Sequence, residues 1–186
     1  DLNPTDDDTY TKWGIAICNL AILISDENLY RSGFEKYRLA TELNPNNSVA
    51  YNNWGVAICY LAELLNNEEL YSDSFNKFQV AVELDSNDSD TYNNWGIAIA
   101  SLARLTNDTH LFEEAFEKYQ KAAELGGQSY NLACGYALKK DKTQALVYLE
   151  NSLENKEQSI EFIKKDEDWQ EYLTDPDFIN LLEKYS

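Results

Sequence analysis

The chain has 186 residues, 44% hydrophobic and 26% charged, a balance that supports a buried core and excludes intrinsic disorder and collagen-like structure. Thirty-three acidic residues against 15 basic ones give a net charge of −18, so phosphate backbones and anionic membrane surfaces are repelled. A basic segment of another protein would be attracted, although the same excess of acid also serves simply to keep a helical array in solution.

The cysteines, Cys18, Cys59 and Cys134, are odd in number and widely spaced, with no CxxC and a single histidine. That pattern implies neither a zinc site nor a disulfide framework, so no cofactor or metal is expected and a reducing, cytoplasmic setting is the default. The most apolar run, Gly14 to Ile24, contains Asn19 and is about half the length of a membrane-spanning helix. The sequence opens at Asp1 and lacks methionine, which fits a processed product or a piece of a longer protein that has lost any targeting segment.

Taken from the start, the chain repeats itself. Trp13-Gly14-Ile15-Ala16-Ile17 returns as Trp54-Gly55-Val56-Ala57-Ile58 and Trp95-Gly96-Ile97-Ala98-Ile99, each 41 residues after the last. The register persists through Leu20, Leu61 and Leu102, through Phe34, Phe75 and Phe116, and through Ala40, Ala81 and Ala122. Within the second copy, Trp54, Ala57, Ile58, Leu61, Ala62 and Leu65 step by three and four, as one face of a helix does. A polar break follows at Ser25-Asp26, Asn66-Asn67 and Asn107-Asp108, good N-cap chemistry for a second helix. That helix carries Leu70, Tyr71, Ser74, Phe75, Phe78, Ala81 and Val82 and stops at Leu84-Asp85-Ser86-Asn87, equivalent to Leu43-Asn44-Pro45-Asn46. Each copy therefore reads as a helix hairpin, and no segment shows strand alternation.

The equivalent phases of Trp13, Trp54 and Trp95 mark them as core side chains. A fourth, shorter unit runs through Tyr130-Asn131-Leu132-Ala133-Cys134-Gly135 and Ala145-Leu146-Val147-Tyr148-Leu149, after Gly126-Gly127 has ended the preceding helix. Beyond about Asn155 the repeat stops; a helix is expected over Gln158–Lys165 and another from Pro176 to near Lys184.

The small residues Gly55, Ala57, Ser74 and Ala81, the aromatic Phe78 and the closing Glu83-Leu84-Asp85 resemble the tetratricopeptide repeat, and Leu43-Asn44-Pro45 matches its terminal proline. The resemblance covers roughly residues 9–155. It implies an all-α, right-handed superhelical solenoid of antiparallel helix hairpins with a C-terminal helical cap. One domain is expected over 1–186, with repeats at about 8–47, 48–88, 89–127 and 128–155 and capping helices over 156–186. The family unit is about 34 residues, so these units carry about seven more, which is about two helical turns. All of the surplus falls between Gly14 and Gly33, Gly55 and Ser74, and Gly96 and Ala115, so each hairpin helix is expected to gain about one turn.

In such solenoids the first helices line a concave groove. Carried over position by position, the resemblance assigns that groove to Thr11, Ile15 and Asn19, to Asn52, Val56 and Tyr60, and to Asn93, Ile97 and Ser101, with Tyr130, Cys134 and Leu138 from the fourth unit. Asn52 and Asn93 offer donor and acceptor for an extended peptide, or else brace neighbouring helices. A subtype of the family clamps the C-terminal carboxylate of chaperones with basic residues. Here those positions hold Thr11 and Ile15, Asn53, then Asp90 and Asn94, so that specificity is not expected. No P-loop, GxGxxG or HExxH is present, and His110 has no marked partner, so no enzyme is implied. The runs Asp6-Asp7-Asp8 and Asp166-Glu167-Asp168 lack an EF-hand's spacing and read as solvated acid. The expected function is a module that binds a protein partner's peptide or helix; the alternative is self-assembly through hairpin ends or the convex face.

Overall fold

The structure, a computed structural model, describes residues 6–186. It contains helices α1 (Asp7–Ile24), α2 (Glu27–Leu43), α3 (Ser48–Leu65), α4 (Glu68–Leu84), α5 (Ser89–Thr106), α6 (Thr109–Glu124), α7 (Tyr130–Leu138) and α8 (Lys142–Glu154). A short α9 (Ile160–Lys165), a 3-10 turn over Glu167–Tyr172 and α10 (Pro176–Lys184) complete it, and no strand occurs among the described residues. The helices of the 41-residue hairpins run to 16–18 residues, against nine and 13 in the α7–α8 hairpin. The surplus of the long units thus lies in their helices. The chain divides into two compact units, Asp1–Lys118 and Tyr119–Ser186.

Local chemistry sets the hairpin turns of the first unit. Ser25, Asn66 and Asn107 end α1, α3 and α5 in the left-handed region, with φ of 54°, 48° and 57°. The next residue caps the following helix: Asp26 accepts from the Asn28 and Leu29 amides, Asn67 from those of Glu69 and Leu70, and Asp108 from that of His110. Two residues therefore reverse the chain three times. The longer connections also share a geometry. Asn44 and Asp85 are both extended, at φ −136° and −139°, and each accepts an amide two residues on, from Asn46 and Asn87. Pro45 restricts Asn44 to that region, but Asp85 reaches it with no proline following, so the side-chain turn suffices.

Small residues let the helices of a hairpin approach. The ring of Tyr37 lies over Gly14, where an added Cβ would stand 2.7 Å from Tyr37 Cε1, and Phe78 lies over Gly55 at 2.9 Å. Tyr37 and Phe78 are fully buried, each contributing roughly 1.5–3 kcal/mol. Between hairpins, Ala57 and Leu61 of α3 join Cys18, Ala21, Tyr30 and Tyr37 in one cluster, and Ala98 of α5 joins Cys59, Ala62, Tyr71 and Phe78 in the next. The tryptophans follow the register only in part. Lys36, Lys77 and Lys118 place their ammonium groups 4.2, 3.9 and 4.0 Å from the rings of Trp13, Trp54 and Trp95, one cation over each indole. Trp54 also stacks on Tyr37 of the preceding hairpin, at 6.4 Å between centroids. Trp54 and Trp95 are half-buried, whereas Trp13 is 46% exposed, contrary to the core position its phase predicts. Among the described residues no hairpin precedes α1 to cover it.

The second unit is centred on Trp169, fully buried and stacked on Phe178 at 5.3 Å, with Tyr172 edge-on at 5.6 Å. Ala133, Leu149, Ile163 and Leu182 close around them. The Glu157 carboxylate accepts the Ser129 and Tyr130 amides at 2.9–3.0 Å and so caps α7 from beyond α8. Lys142 pairs with Asp175 at 2.6 Å and Lys184 with Glu150 at 2.5 Å, fastening α10 to α8. The expected helix over 158–165 is shortened to α9, and the 3-10 turn after it replaces a stretch with no assigned structure.

Candidate functional site: the first-helix face

In the first unit, α3 touches both α1 and α5, and α1 and α3 also pack on their own second helices. This makes a continuous face of first helices. Side chains bridge it: Asn94 Nδ2 donates to Asn52 Oδ1 at 3.2 Å, and Ser101 Oγ donates to Glu63 Oε1 at 2.6 Å. At the near end, Asn47 Nδ2 donates to Asp7 Oδ2 at 2.8 Å and to Thr11 Oγ1 at 3.3 Å, and Asn44 donates to the same Asp7 oxygen at 2.8 Å. The Asn44 contact above all holds the Asp7 carboxyl below the usual range, with burial opposing and Asn47 assisting.

The groove positions carried over from the sequence divide by exposure. Asn19 is exposed, and Tyr60 and Ile97 are 43% and 39% exposed. Ile15, Asn52, Val56 and Ser101 are half-buried. Thr11 and Asn93 are buried, and Thr11 also donates to the Asp7 carbonyl at 2.9 Å. In the second unit Tyr130 is buried, its hydroxyl donating to Asp166 Oδ2 at 2.8 Å and its ring set edge-on to Phe162; Cys134 is buried and Leu138 is 54% exposed.

A second layer emerges that the sequence reading did not assign. Tyr30 and Tyr71 of the second helices are buried, and their phenols lie close to first-helix residues. Burial pushes the Tyr30 phenol up to about 12, with Cys18, Tyr60 and Glu63 adding to the shift. Burial raises Tyr71 too, reinforced by Cys59 and Glu63 and opposed by a hydrogen bond with Ser101. Tyr60, Glu63 and Ser101 thus form a polar cluster with two phenols beneath it. Glu63 was visible in the register, where it stands between Ile22 and Arg104 as the one acid of its column. The thiols are poor nucleophiles: burial pushes Cys18 up to about 11 and Cys59 up to about 12, and it raises Cys134.

Elsewhere, Cys134, Asp166 and Asp168 bring one ligand atom each within 4.8 Å of one another. Asp166 spends one oxygen on the Tyr130 hydroxyl and the other on the Asp168 amide, which caps the 3-10 turn. The fold itself accounts for that carboxylate, and a metal is not needed to explain it. A hollow of about 330 Å³ lies on the C-terminal helices between Lys164, Leu173, Phe178, Ile179, Leu182 and Glu183. Among the described residues, no helix is long and apolar enough to cross a membrane.

No protein-family model matches the sequence, and no curated protein does. Among solved structures, the chain is similar to YrrB, described as a TPR protein with an unusual peptide-binding site, at 21% identity and a TM-score of 0.37, over 82% of this chain and 87% of that one. Helix hairpins recurring every 41 residues, with an aromatic ring seated over Gly14 in the first and over Gly55 in the second, make this an all-α solenoid that resembles the tetratricopeptide-repeat proteins.

Proposed function

We propose that the chain is a protein-interaction module whose first-helix face binds an extended or helical segment of a partner protein. The observation that carries the reading is the exposure of Tyr60 and Ile97 on neighbouring helices, with Glu63 standing beside Tyr60. Exposed aromatic and aliphatic side chains on a rigid helical face are the usual anchors of a peptide site, and they bind best where neighbouring groups exclude water. In this reading Ile15, Val56 and Ile97 supply an apolar row. Asn19 and Asn52 offer hydrogen bonds to a peptide backbone, and Glu63 favours a basic side chain near Tyr60. Thr11 and Asn93, being buried, act as braces, and Tyr130 belongs to the core of the second unit.

The test is selection from a random peptide-display library on the 186-residue chain, followed by calorimetry of the recovered peptide. Tyr60→Ala and Ile97→Ala are each expected to weaken binding by about tenfold or more, as hot-spot truncations do. Val147→Ala, on an exposed residue of the second unit, is expected to leave it unchanged. Recovery of no peptide, or equal losses at all three positions, refutes the reading.

A further inference from the structure

The repeat makes one surface of the molecule internally comparable. On α3, the face turned to the preceding hairpin holds Trp54, half-buried against Tyr37, together with Ala57 at 2% and Leu61 at 1% exposure. On α5, the equivalent Trp95 and Leu102 are half-buried and Ala98 is fully buried. On α1 the same positions are open: Trp13 is 46% exposed, Leu20 47%, and Ala16 is exposed as well. Leu23 and Ile24 beside them are exposed too. One side of the Trp13 indole already carries the Lys36 ammonium, as Lys77 does for Trp54, and its aromatic neighbour is Tyr10 of its own helix, 6.3 Å between centroids, where Trp54 has Tyr37 of the preceding hairpin. The register also extends ahead of α1. Leu2-Asn3-Pro4 stands 41 residues before Leu43-Asn44-Pro45, the sequence that closes α2, and Asp6 stands at the position of Asn47, which caps α3.

We propose that this face of α1 is the seat of one further helix hairpin of the same 41-residue repeat, placed ahead of α1 in the polypeptide. Its second helix would set an aromatic ring on Trp13, as Tyr37 does on Trp54, and a second aromatic against Leu20, as Tyr30 does in the cluster around Leu61. An unrelated partner would have no need of this position-by-position match. On a second copy of the chain, the equivalent faces of α2 and α4 are already taken up by α3 and α5.

The test joins a copy of residues 48–88 directly to Asp7, so that the 41-residue register is kept, and leaves Trp13 as the sole tryptophan. Acrylamide quenching of Trp13 is expected to fall from its value in the unextended chain to that of Trp54 measured as the sole tryptophan. Replacing the Phe78 equivalent in the added hairpin by Ala is expected to restore much of the lost quenching. A parallel pair that keeps every tryptophan is read by amide exchange, where α1 should slow towards the rate of α3. Unchanged quenching together with unchanged exchange overturns the proposal. So does a concentration-dependent dimer of the unextended chain that protects Trp13, because the occupant is then a second copy.

Discussion

Gly33→Ala sets two effects against each other at a position where the repeats themselves offer the control. Gly33 lies in the middle of α2, where alanine would gain about 1 kcal/mol of helix propensity. Its added Cβ, however, would stand 2.3 Å from Cys18 Sγ and 3.4 Å from the Gly14 carbonyl oxygen. The thiol is held in that space by its hydrogen bond with Tyr37. Overpacking of this kind costs about 1–3 kcal/mol, so the net expectation is a loss of up to about 2 kcal/mol. The equivalent pairs are Cys59 with Ser74 and Ala100 with Ala115. Phe78 replaces Tyr37 in the second repeat and offers no hydroxyl to fix Cys59, and Ser74 fits there, donating to the Gly55 carbonyl at 2.9 Å. Cys18→Ala should therefore rescue Gly33→Ala, because the pair then reproduces the third repeat. Urea titrations followed by circular dichroism on wild type, both single variants and the double variant give the coupling. A coupling below about 0.5 kcal/mol, or a Gly33→Ala chain more stable than wild type, refutes the reasoning.

Two further expectations rest on caps and charge. Ser25 adopts the left-handed conformation that Asn66 and Asn107 hold in the other long hairpins, so Ser25→Asn should stabilise the first unit by about 0.5–1 kcal/mol, read as a higher urea midpoint. Asp175 is held below the usual carboxyl range chiefly by Lys142, with the Phe178 and Asp177 amides assisting and burial opposing. A depressed carboxyl contributes stability above its unfolded value near about 4 and loses that contribution as pH falls through its folded value. Asp175→Asn should therefore flatten the fall in stability of the C-terminal helices between about pH 5 and pH 2 in acid titrations monitored by Trp169 fluorescence.

The architecture was legible because the register repeated it. Gly14 and Gly55, the two-residue breaks and the closing Leu43-Asn44-Pro45 each fixed a helix end or a close approach, and the structure places them accordingly. Pro176 and its Asp175 cap announced α10 in the same way. The 3-10 turn over Glu167–Tyr172 was not legible, since it depends on Trp169 being drawn into a core assembled from distant residues. The site was legible only in outline. Column positions tell which residues share a helix face, but whether that face is open depends on what the neighbouring helix places against it. Asn47 covers Thr11, and Asp166 draws in the Tyr130 hydroxyl, so both lie closed. Trp13 fails in the opposite direction, because a register that predicts burial assumes a neighbour on both sides. Glu63 and the phenols of Tyr30 and Tyr71 come near one another through the pairing of first and second helices, which a single column of the register does not show.

The two-residue reversals have a kinetic consequence. A loop at the short end of what two helices allow closes at little entropic cost, and the two arms of each long hairpin meet residues close to them in sequence. Folding can then begin in any of the long hairpins without waiting for contacts between distant parts of the chain, and microsecond-to-millisecond formation is the expected regime for so local a set of contacts. Opening should be local for the same reason: protection against amide exchange should be lost hairpin by hairpin, earliest where a first helix has a neighbour on one side alone.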